Sequence, residues 1–432
     1  MSSPYKTVSF HTLGCKLNYA ESSTLSRELI ENGFIKVDYS EPSDVAVINT
    51  CSVTNNANKK CRKIIRQIIN RAPNTFVAII GCYAQLKPDE ITSIPGVDLV
   101  LGANEKFKLP KYLRSLKING TARSHTTDIN SIDSFSPSWS YRERTRSFLK
   151  IQDGCDYNCT FCTIPMARGK SRNIGIQDSV QIVEKIAKKG VQEVVLTGVN
   201  IGDFGKSTGE SFIDLIIALD KIKDIQRFRI SSIEPNLLTN EIIEFVSQSK
   251  KFLPHFHIPI QSGSNKMLKL MKRRYSREVV VDRVEKIRKL LPEACIASDV
   301  IVGCRSETKK EFEETVDFIK SLDISYLHVF SYSERDGTEA IKMSQNVPIE
   351  ERMKRSQIIR ELSNEKKYQF YENNINSTDE VLFETFEDGM LFGFTRNYVR
   401  VMTEGSSNLC NHILAIRMLE NQRFHVKGEI VN

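Results

Sequence analysis

Nowhere does the 432-residue sequence hold an uninterrupted apolar run approaching the about 18 residues that a bilayer-spanning helix needs. Its opening decapeptide, MSSPYKTVSF, has no apolar stretch followed by small residues of the kind a secretory leader carries. Both absences point to the cytoplasm and to a chain with no membrane partner. Internal repeats are lacking too, which sets solenoid folds aside. A strong bias of charge is missing as well: the net +8 fits an acidic partner such as RNA but is too modest to require one. What is present, 40% hydrophobic and 26% charged residues, is the balance of a globular protein. Its length exceeds one ordinary core, so two or three domains are expected. Ten cysteines complete the inventory. In a reducing compartment they are poor material for a disulfide framework, and clustered ones read as metal ligands.

Three apolar, β-branched runs open the chain, at residues 7–13, 44–49 and 76–80, with helix-like stretches at 20–32 and 57–71 between them. Such alternation predicts a parallel, doubly wound α/β domain over residues 1–112. Residues 113–141 turn polar and rich in Ser and Thr and read as a linker. A second alternation fills 142–366, with strand-like runs at 148–151, 193–198, 227–232, 255–260, 295–302 and 326–332. Amphipathic stretches such as 179–189 and 277–291 separate them. Six βα units predict a partial (βα)6 barrel, open on one side. A charged helix over 349–371 leads to short β-like pieces within 367–432, the pattern of a small antiparallel β-barrel.

Just after the first strand of the second domain stands GCDYNCTFC, which carries Cys155, Cys159 and Cys162 in C-x3-C-x2-C spacing. Three thiolates on one tight loop hold three irons of a four-iron cluster and leave the fourth iron open to a substrate. Zinc would need a fourth ligand, and no nearby His or Cys supplies one. The spacing, with aromatic Phe161 before the last cysteine, resembles the radical S-adenosylmethionine superfamily. By that resemblance, S-adenosylmethionine chelates the open iron, and electron transfer from the reduced [4Fe-4S] cluster yields a 5′-deoxyadenosyl radical.

A second trio is scattered. Cys15, Cys51 and Cys82 each follow a strand-like run (HTLGC, VINTC, AIIGC), 36 and 31 residues apart. Ligands of open α/β sheets gather beyond the carboxyl ends of the strands, so these thiols are expected to converge there as a second open-iron cluster. Taken over its whole length, the chain resembles the radical S-adenosylmethionine methylthiotransferase family, with an N-terminal auxiliary-cluster domain and a terminal TRAM-like barrel. Within that family TLGCKLNYAES, NTCSVTNNANKKCR and GCDYNCTFCTIPMARGKSR look most like the branch acting on threonylcarbamoyladenosine in tRNA. Lys16 and Thr54 stand where the isopentenyladenosine branch usually has Gln and Arg. The resemblance implies two [4Fe-4S] clusters, S-adenosylmethionine as methyl donor and radical source, a tRNA anticodon stem-loop as substrate, and a reducing electron-transfer protein as partner. The C2–H bond of adenine offers a general base no polarity, which makes radical chemistry a reasonable tool, with the cofactors carrying the hard steps.

Further segments match family stretches around S-adenosylmethionine. They nominate Tyr157, Phe161, Gly198, Asn200, Ser232, Glu234, Gln261, Ser262 and Asp299, most of them at strand ends, the active face of a barrel. His255 and His257 lie two apart on one strand and read as packing residues. Where the family commonly has Gly-Phe-Pro-Gly-Glu-Thr, this chain has Gly303-Cys304-Arg305-Ser306-Glu307-Thr308 and so lacks the Pro-Gly turn. Cys61, Cys295 and Cys410 read as non-ligating. From Tyr368 onward five Lys/Arg face nine Asp/Glu, so the small barrel is expected to meet RNA by stacking (Phe394, Tyr398) around Arg396 and Arg400. Arg168, Lys170 and Arg172, beside the cysteine loop, are the candidates for stem phosphates. Basic runs such as KMLKLMKRR otherwise read as solvated faces. Two readings compete: a family member acting on isopentenyladenosine or a ribosomal protein side chain, and a non-catalytic iron–sulfur RNA-binding protein.

Overall fold

The computed structural model describes residues 5–115, 122–142 and 144–431. The first domain is a six-stranded sheet in the order β2-β1-β3-β4-β5-β6, parallel throughout. Its strands are β1 (Thr7–Thr12), β2 (Ile35–Lys36), β3 (Val45–Thr50), β4 (Phe76–Gly81), β5 (Leu99–Leu101) and β6 (Arg123–His125). Helices α1 (Lys16–Glu31), α2 (Asn55–Arg71), α3 (Cys82–Leu86), α4 (Pro88–Thr92) and α5 (Leu109–Ser115) cover it. Strand alternation explains the two-sided core. Val45, Val47, Ala78 and Ile80 pack with Leu25 and Leu29 of α1 and Leu109 and Leu113 of α5. Ala46, Ile48, Val77 and Ile79 point the other way, onto Cys61, Ile65 and Ile68 of α2.

The stretch expected as a linker contributes structure. Its residues 116–121 lie outside the described ones, but β6 extends the first sheet and β7 (Ser138–Trp139) adds an antiparallel edge to the second domain. Six parallel strands follow: β8 (Ser147–Lys150), β9 (Glu193–Thr197), β10 (Arg227–Ile230), β11 (His255–His257), β12 (Cys295–Val302) and β13 (Tyr326–Ser331). They form two sheets, β10-β9-β8-β7 and β11-β12-β13, linked by the parallel bridges Phe228–Phe252 and Ser232–His257. Helices α6 (Ile164–Arg168), α7 (Ile176–Ala187), α8 (Phe212–Asp220), α9 (Asn240–Gln248), α10 (Asn265–Leu270), α11 (Arg277–Leu290) and α12 (Lys309–Ser321) occupy the crossovers. The result is the partial barrel expected, and α1 of the first domain packs on β7 and β8 at its open edge.

A long helix, α13 (Ile349–Glu372), leads to a closed five-stranded barrel in the order β14-β15-β16-β18-β17. Its strands are β14 (Thr378–Glu387), β15 (Met390–Thr395), β16 (Arg400–Glu404), β17 (Ile413–Asn421) and β18 (Val426–Ile430). It departs from the antiparallel expectation at one seam, where β16 and β18 pair in parallel. Its core reaches Cys295 at the start of β12, so the small barrel abuts the large one at the N-terminal end of that strand.

Candidate active site

Both trios form where strands end. Cys15 caps α1 after β1, Cys51 follows β3, and Cys82 opens α3 after β4. The Gly-Cys pairs have a steric reason. Gly14 sits at φ 102°, and a Cβ there would lie 2.8 Å from Cys51 Cβ. Gly81 sits at φ 101°, and a Cβ there would meet Asn49 Oδ1 at 2.4 Å. Only glycine serves at such positions, and the turns they permit aim the cysteines at one another. Burial pushes the Cys51 thiol up to about 12, and Cys82 and Cys15 add to the rise.

In the second domain, Tyr157 N–H donates to Cys155 Sγ and Ile164 N–H to Cys162 Sγ, each at 3.4 Å. Arg273 Nη1 donates to Cys159 Sγ at 3.0 Å, and its other nitrogen binds Glu234. Burial raises Cys155 to about 12 and Cys162 to about 11. N–H donors aimed at sulfur are what cluster thiolates use to tune their potential.

The two trios adjoin. Thr163, after Cys162, donates its hydroxyl to the carbonyl of Ser52, after Cys51, at 3.4 Å. Beside this contact opens a cavity of about 240 Å³, lined by Val53, Thr54, Phe161, Cys162, Gln261 and Asp299 among others. The structure therefore brings together Phe161, Gln261 and Asp299 at one space. Gln261 holds φ 65°, and its Oε1 is buried without a partner. Asn200 Oδ1 and Asn236 Oδ1 are likewise unpartnered buried acceptors. Unspent acceptors ask for a ligand that donates hydrogen bonds, as an ammonium or an adenine amino group does. Asp299 accepts from His257 Nε2–H at 2.9 Å. Glu234 is pushed up by burial, against the pull of Arg273. Tyr157 turns its ring inward and accepts from Asn236 Nδ2 at 2.8 Å. Ser232 lies on the bridge to His257, and Gly198 rests against Gln152 and Ile201.

Three expectations change. Ser262 is fully buried, and its hydroxyl is spent on Thr315 Oγ1 and Ser264 N–H, so it braces the turn instead of facing the cavity. Arg168 and Arg172 do not present themselves to phosphates. Arg168, 2% exposed, donates to Glu21, Asp153 and Asn18, and Arg172 donates to Asp153 and three backbone carbonyls. Phe394 and Tyr398 stack on each other at 4.5 Å, and Tyr398 also meets His255, so these half-buried rings are partly taken up by the large barrel. Lys170, Arg396 and Arg400 are exposed; Arg396 pairs with Asp379 at 2.5 Å. In the Gly303–Thr308 loop, Ser306 takes φ 67° in place of Pro-Gly, and Glu307 accepts from Gly303 N–H at 2.6 Å while Arg355 holds it.

Arg168 belongs to a buried charge network that the sequence left hidden. Lys106, Lys150, Arg168 and Arg172 surround Glu21 and Asp153 at 2.5–3.4 Å. Burial alone would raise both carboxyls, but the cations outweigh it and hold them well below the usual carboxylate range. Four cations around two carboxylates leave an excess of positive charge. The thiols of Cys82 and Cys15 act on Arg168 directly. Buried charge must be compensated, and thiolates at that trio would supply the missing negative charge.

Two family models match the chain: the Radical SAM superfamily over residues 149–319, and Uncharacterized protein family UPF0004 over residues 7–102. The threonylcarbamoyladenosine tRNA methylthiotransferase MtaB of Bacillus subtilis (strain 168) is 38% identical, across 98% of this chain and 96% of its own. The chain belongs to the radical S-adenosylmethionine methylthiotransferase family. The protein of the same name from Aquifex aeolicus (strain VF5) is 37% identical over 92% of this chain and 97% of its own. A tRNA-2-methylthio-N(6)-dimethylallyladenosine synthase of Clostridium botulinum (strain Hall) is 32% identical over 97% of this chain and 95% of its own. Among solved structures, the radical S-adenosylmethionine methyltransferase TsrM from Kitasatospora setae superposes with a TM-score of 0.55 at 14% identity, over 76% of this chain and 75% of its own. That likeness concerns the fold. No described helix is long and apolar enough to cross a membrane.

Proposed function

We propose that this methylthiotransferase acts on N6-threonylcarbamoyladenosine next to the tRNA anticodon and forms its 2-methylthio derivative. One observation supports the reading: Thr163, after Cys162, reaches Ser52, after Cys51, and the cavity beside that contact is lined by Cys162 together with Val53 and Thr54, which follow Cys51 in the chain. A reaction that makes a radical at one centre and delivers sulfur from another needs that proximity. Cys155, Cys159 and Cys162 would hold the cluster that engages S-adenosylmethionine, and Cys15, Cys51 and Cys82 the second cluster. When bound, these groups supply carbon-centred radicals and a carrier for sulfur.

The chain's own residues position and enclose. Arg273 donates to Cys159 and is itself held by Glu234. Gln261 and Asn200 offer free acceptors to a ligand's N–H groups, while Val53, Phe161 and Phe330 give the cavity apolar walls that keep water from a radical. A base reaches such a space only if unstacked, which suits a single-stranded anticodon loop. Lys170, Arg396 and Arg400 are the exposed cations of those expected to meet the RNA backbone. The cytoplasm supplies both the tRNA and the reducing protein the clusters require. The substrate choice follows the relatives named above and Lys16 and Thr54. Mass spectrometry of tRNA nucleosides from a strain lacking the gene tests it: the methylthio group on threonylcarbamoyladenosine should vanish. Its persistence would overturn the assignment.

A further inference from the structure

We infer that α2 and the pocket beside its first turns form the track for the tRNA backbone, with Arg335 taking a phosphate next to the base that enters the cavity; the inference rests on the tRNA substrate proposed above. α2 holds six cations, Lys59, Lys60, Arg62, Lys63, Arg66 and Arg71, and no acid. Cys61, Ile65 and Ile68 turn toward the first sheet, so the helical period puts Lys59, Arg62, Lys63 and Arg66 on the opposite face. Lys59, Lys63 and Arg66 are exposed there. Among the described residues, Arg62 alone of the six pairs with an acid, Glu90 at 2.6 Å. Lys59 and Lys63, like Arg62 and Arg66, stand four residues apart, a spacing at which like charges repel until an anion covers them.

This stripe ends at a pocket of about 510 Å³, lined by Lys59, Arg62, Lys87, Glu90, Arg335 and Asp336 among others. Glu90 takes Arg62 and Asp336 takes Lys87, which leaves Lys59 and Arg335 without a carboxylate partner among the described residues. Arg335 is 6% exposed. It donates from Nη1 to Asn55 Oδ1 at 2.7 Å and from Nη2 to Ser52 Oγ at 2.6 Å, both neutral acceptors, and its Nε is buried with no partner. A guanidinium offers five N–H donors in a planar fork that matches a phosphate, and a buried cation without a counter-ion asks for an anion. Thr163 is a wall of both this pocket and the cavity of about 240 Å³. Asn55 N–H, at the start of α2, donates to Ser333 Oγ at 3.1 Å, and Ser333 lines that cavity too. A nucleotide whose base enters the cavity therefore has its backbone beside the pocket, and the strand continues along α2. An acidic reducing protein would suit the stripe alone. A guanidinium buried beside the cavity calls for a slender anion, which a nucleotide phosphate is.

The test measures the affinity of an anticodon stem-loop bearing threonylcarbamoyladenosine for the cluster-loaded enzyme at rising salt. The triple variant Lys59→Gln, Lys63→Gln, Arg66→Gln changes exposed side chains only. It should flatten the slope of log affinity against log salt by about two to three, close to one per lost phosphate contact, with iron content unchanged. A second arm replaces each phosphate flanking the modified nucleotide, in turn, by a neutral methylphosphonate. For the wild type one of the two should raise Kd by roughly tenfold or more, the usual effect of losing a charged hydrogen bond. For Arg335→Gln neither should. An unchanged slope in the triple variant would overturn the track. Equal methylphosphonate penalties in wild type and Arg335→Gln would overturn the phosphate site and leave Arg335 to brace Ser52. Turnover lost in the triple variant with reduced flavodoxin but kept with dithionite, at unchanged affinity for the stem-loop, would overturn the inference and give the face to the reducing protein. A wild type that binds no stem-loop would overturn the tRNA substrate itself, and this inference with it.

Discussion

The two cysteine trios are chemically alike and electrostatically opposite. Around Cys159 the protein sets one cation, Arg273, and matches it with one acid, Glu234. Beside Cys15 and Cys82 stands Arg168, which belongs to a network of four buried cations with only two acids. The first arrangement is close to neutral and leaves the charge at the site to whatever binds there. The second carries an excess of buried positive charge that an anionic occupant of the trio would balance. A site that exchanges a ligand each turnover and one that keeps its occupant would be expected to differ in this way.

The widest break in the comparison comes from removing each trio in turn. Replacing Cys155, Cys159 and Cys162 by Ala should abolish 5′-deoxyadenosine formation and lower iron content by about half. Replacing Cys15, Cys51 and Cys82 should lower iron equally, yet leave 5′-deoxyadenosine formation intact while methylthiolated product is lost. Unchanged iron in the second variant would remove the auxiliary cluster.

Next in size is Arg168→Met, which removes one of the two cations, with Lys150, that bridge Glu21 and Asp153. Breaking a buried network typically costs about 3–5 kcal/mol, measurable as a lower denaturant midpoint. Arg273→Met should follow, lowering the rate of 5′-deoxyadenosine formation by roughly tenfold through the lost hydrogen bond to Cys159, with Arg273→Lys intermediate. Its iron content should stay that of the wild type, which separates tuning of the cluster from its assembly.

The smallest effect is on pH. Glu21 and Asp153 are held far below their unfolded values, so their contribution is complete above about pH 4.5 and is lost as the pH falls toward the folded values. Unfolding free energy should therefore decline below that point in the wild type. Arg168→Met, in which the depression is relieved, should show a shallower decline.

Legibility in the sequence followed distance along the chain. Cys155, Cys159 and Cys162 announce themselves because one loop fixes their geometry. Cys15, Cys51 and Cys82 were readable because strand periodicity placed each at the same end of a parallel sheet, where β1, β3 and β4 do put them. The six strands of the large barrel were legible for the same reason. Arg168 and Arg172 misled because a basic residue beside a cluster loop looks the same whether it meets phosphate or a distant Glu21, and the sequence does not show 147 residues of separation closing. Arg273 was hidden inside KMLKLMKRR, where its neighbours Lys272 and Arg274 are the solvated ones the run suggests. Ser262 failed through a partner, Thr315, supplied by another crossover helix.

The charged seam also bears on how the chain comes to be made. Glu21 and Lys106 belong to the first domain, which leaves the ribosome before Lys150, Asp153 and Arg168 exist to meet it. A greasy docking face would be a hazard during that wait, open to other nascent chains. Here the waiting face carries an ion pair and the polar Asn18, groups that water serves well. Dehydration of these charged groups is thus deferred until the second domain arrives with its own charges, and with Phe148 to cover Ala20 and Tyr19.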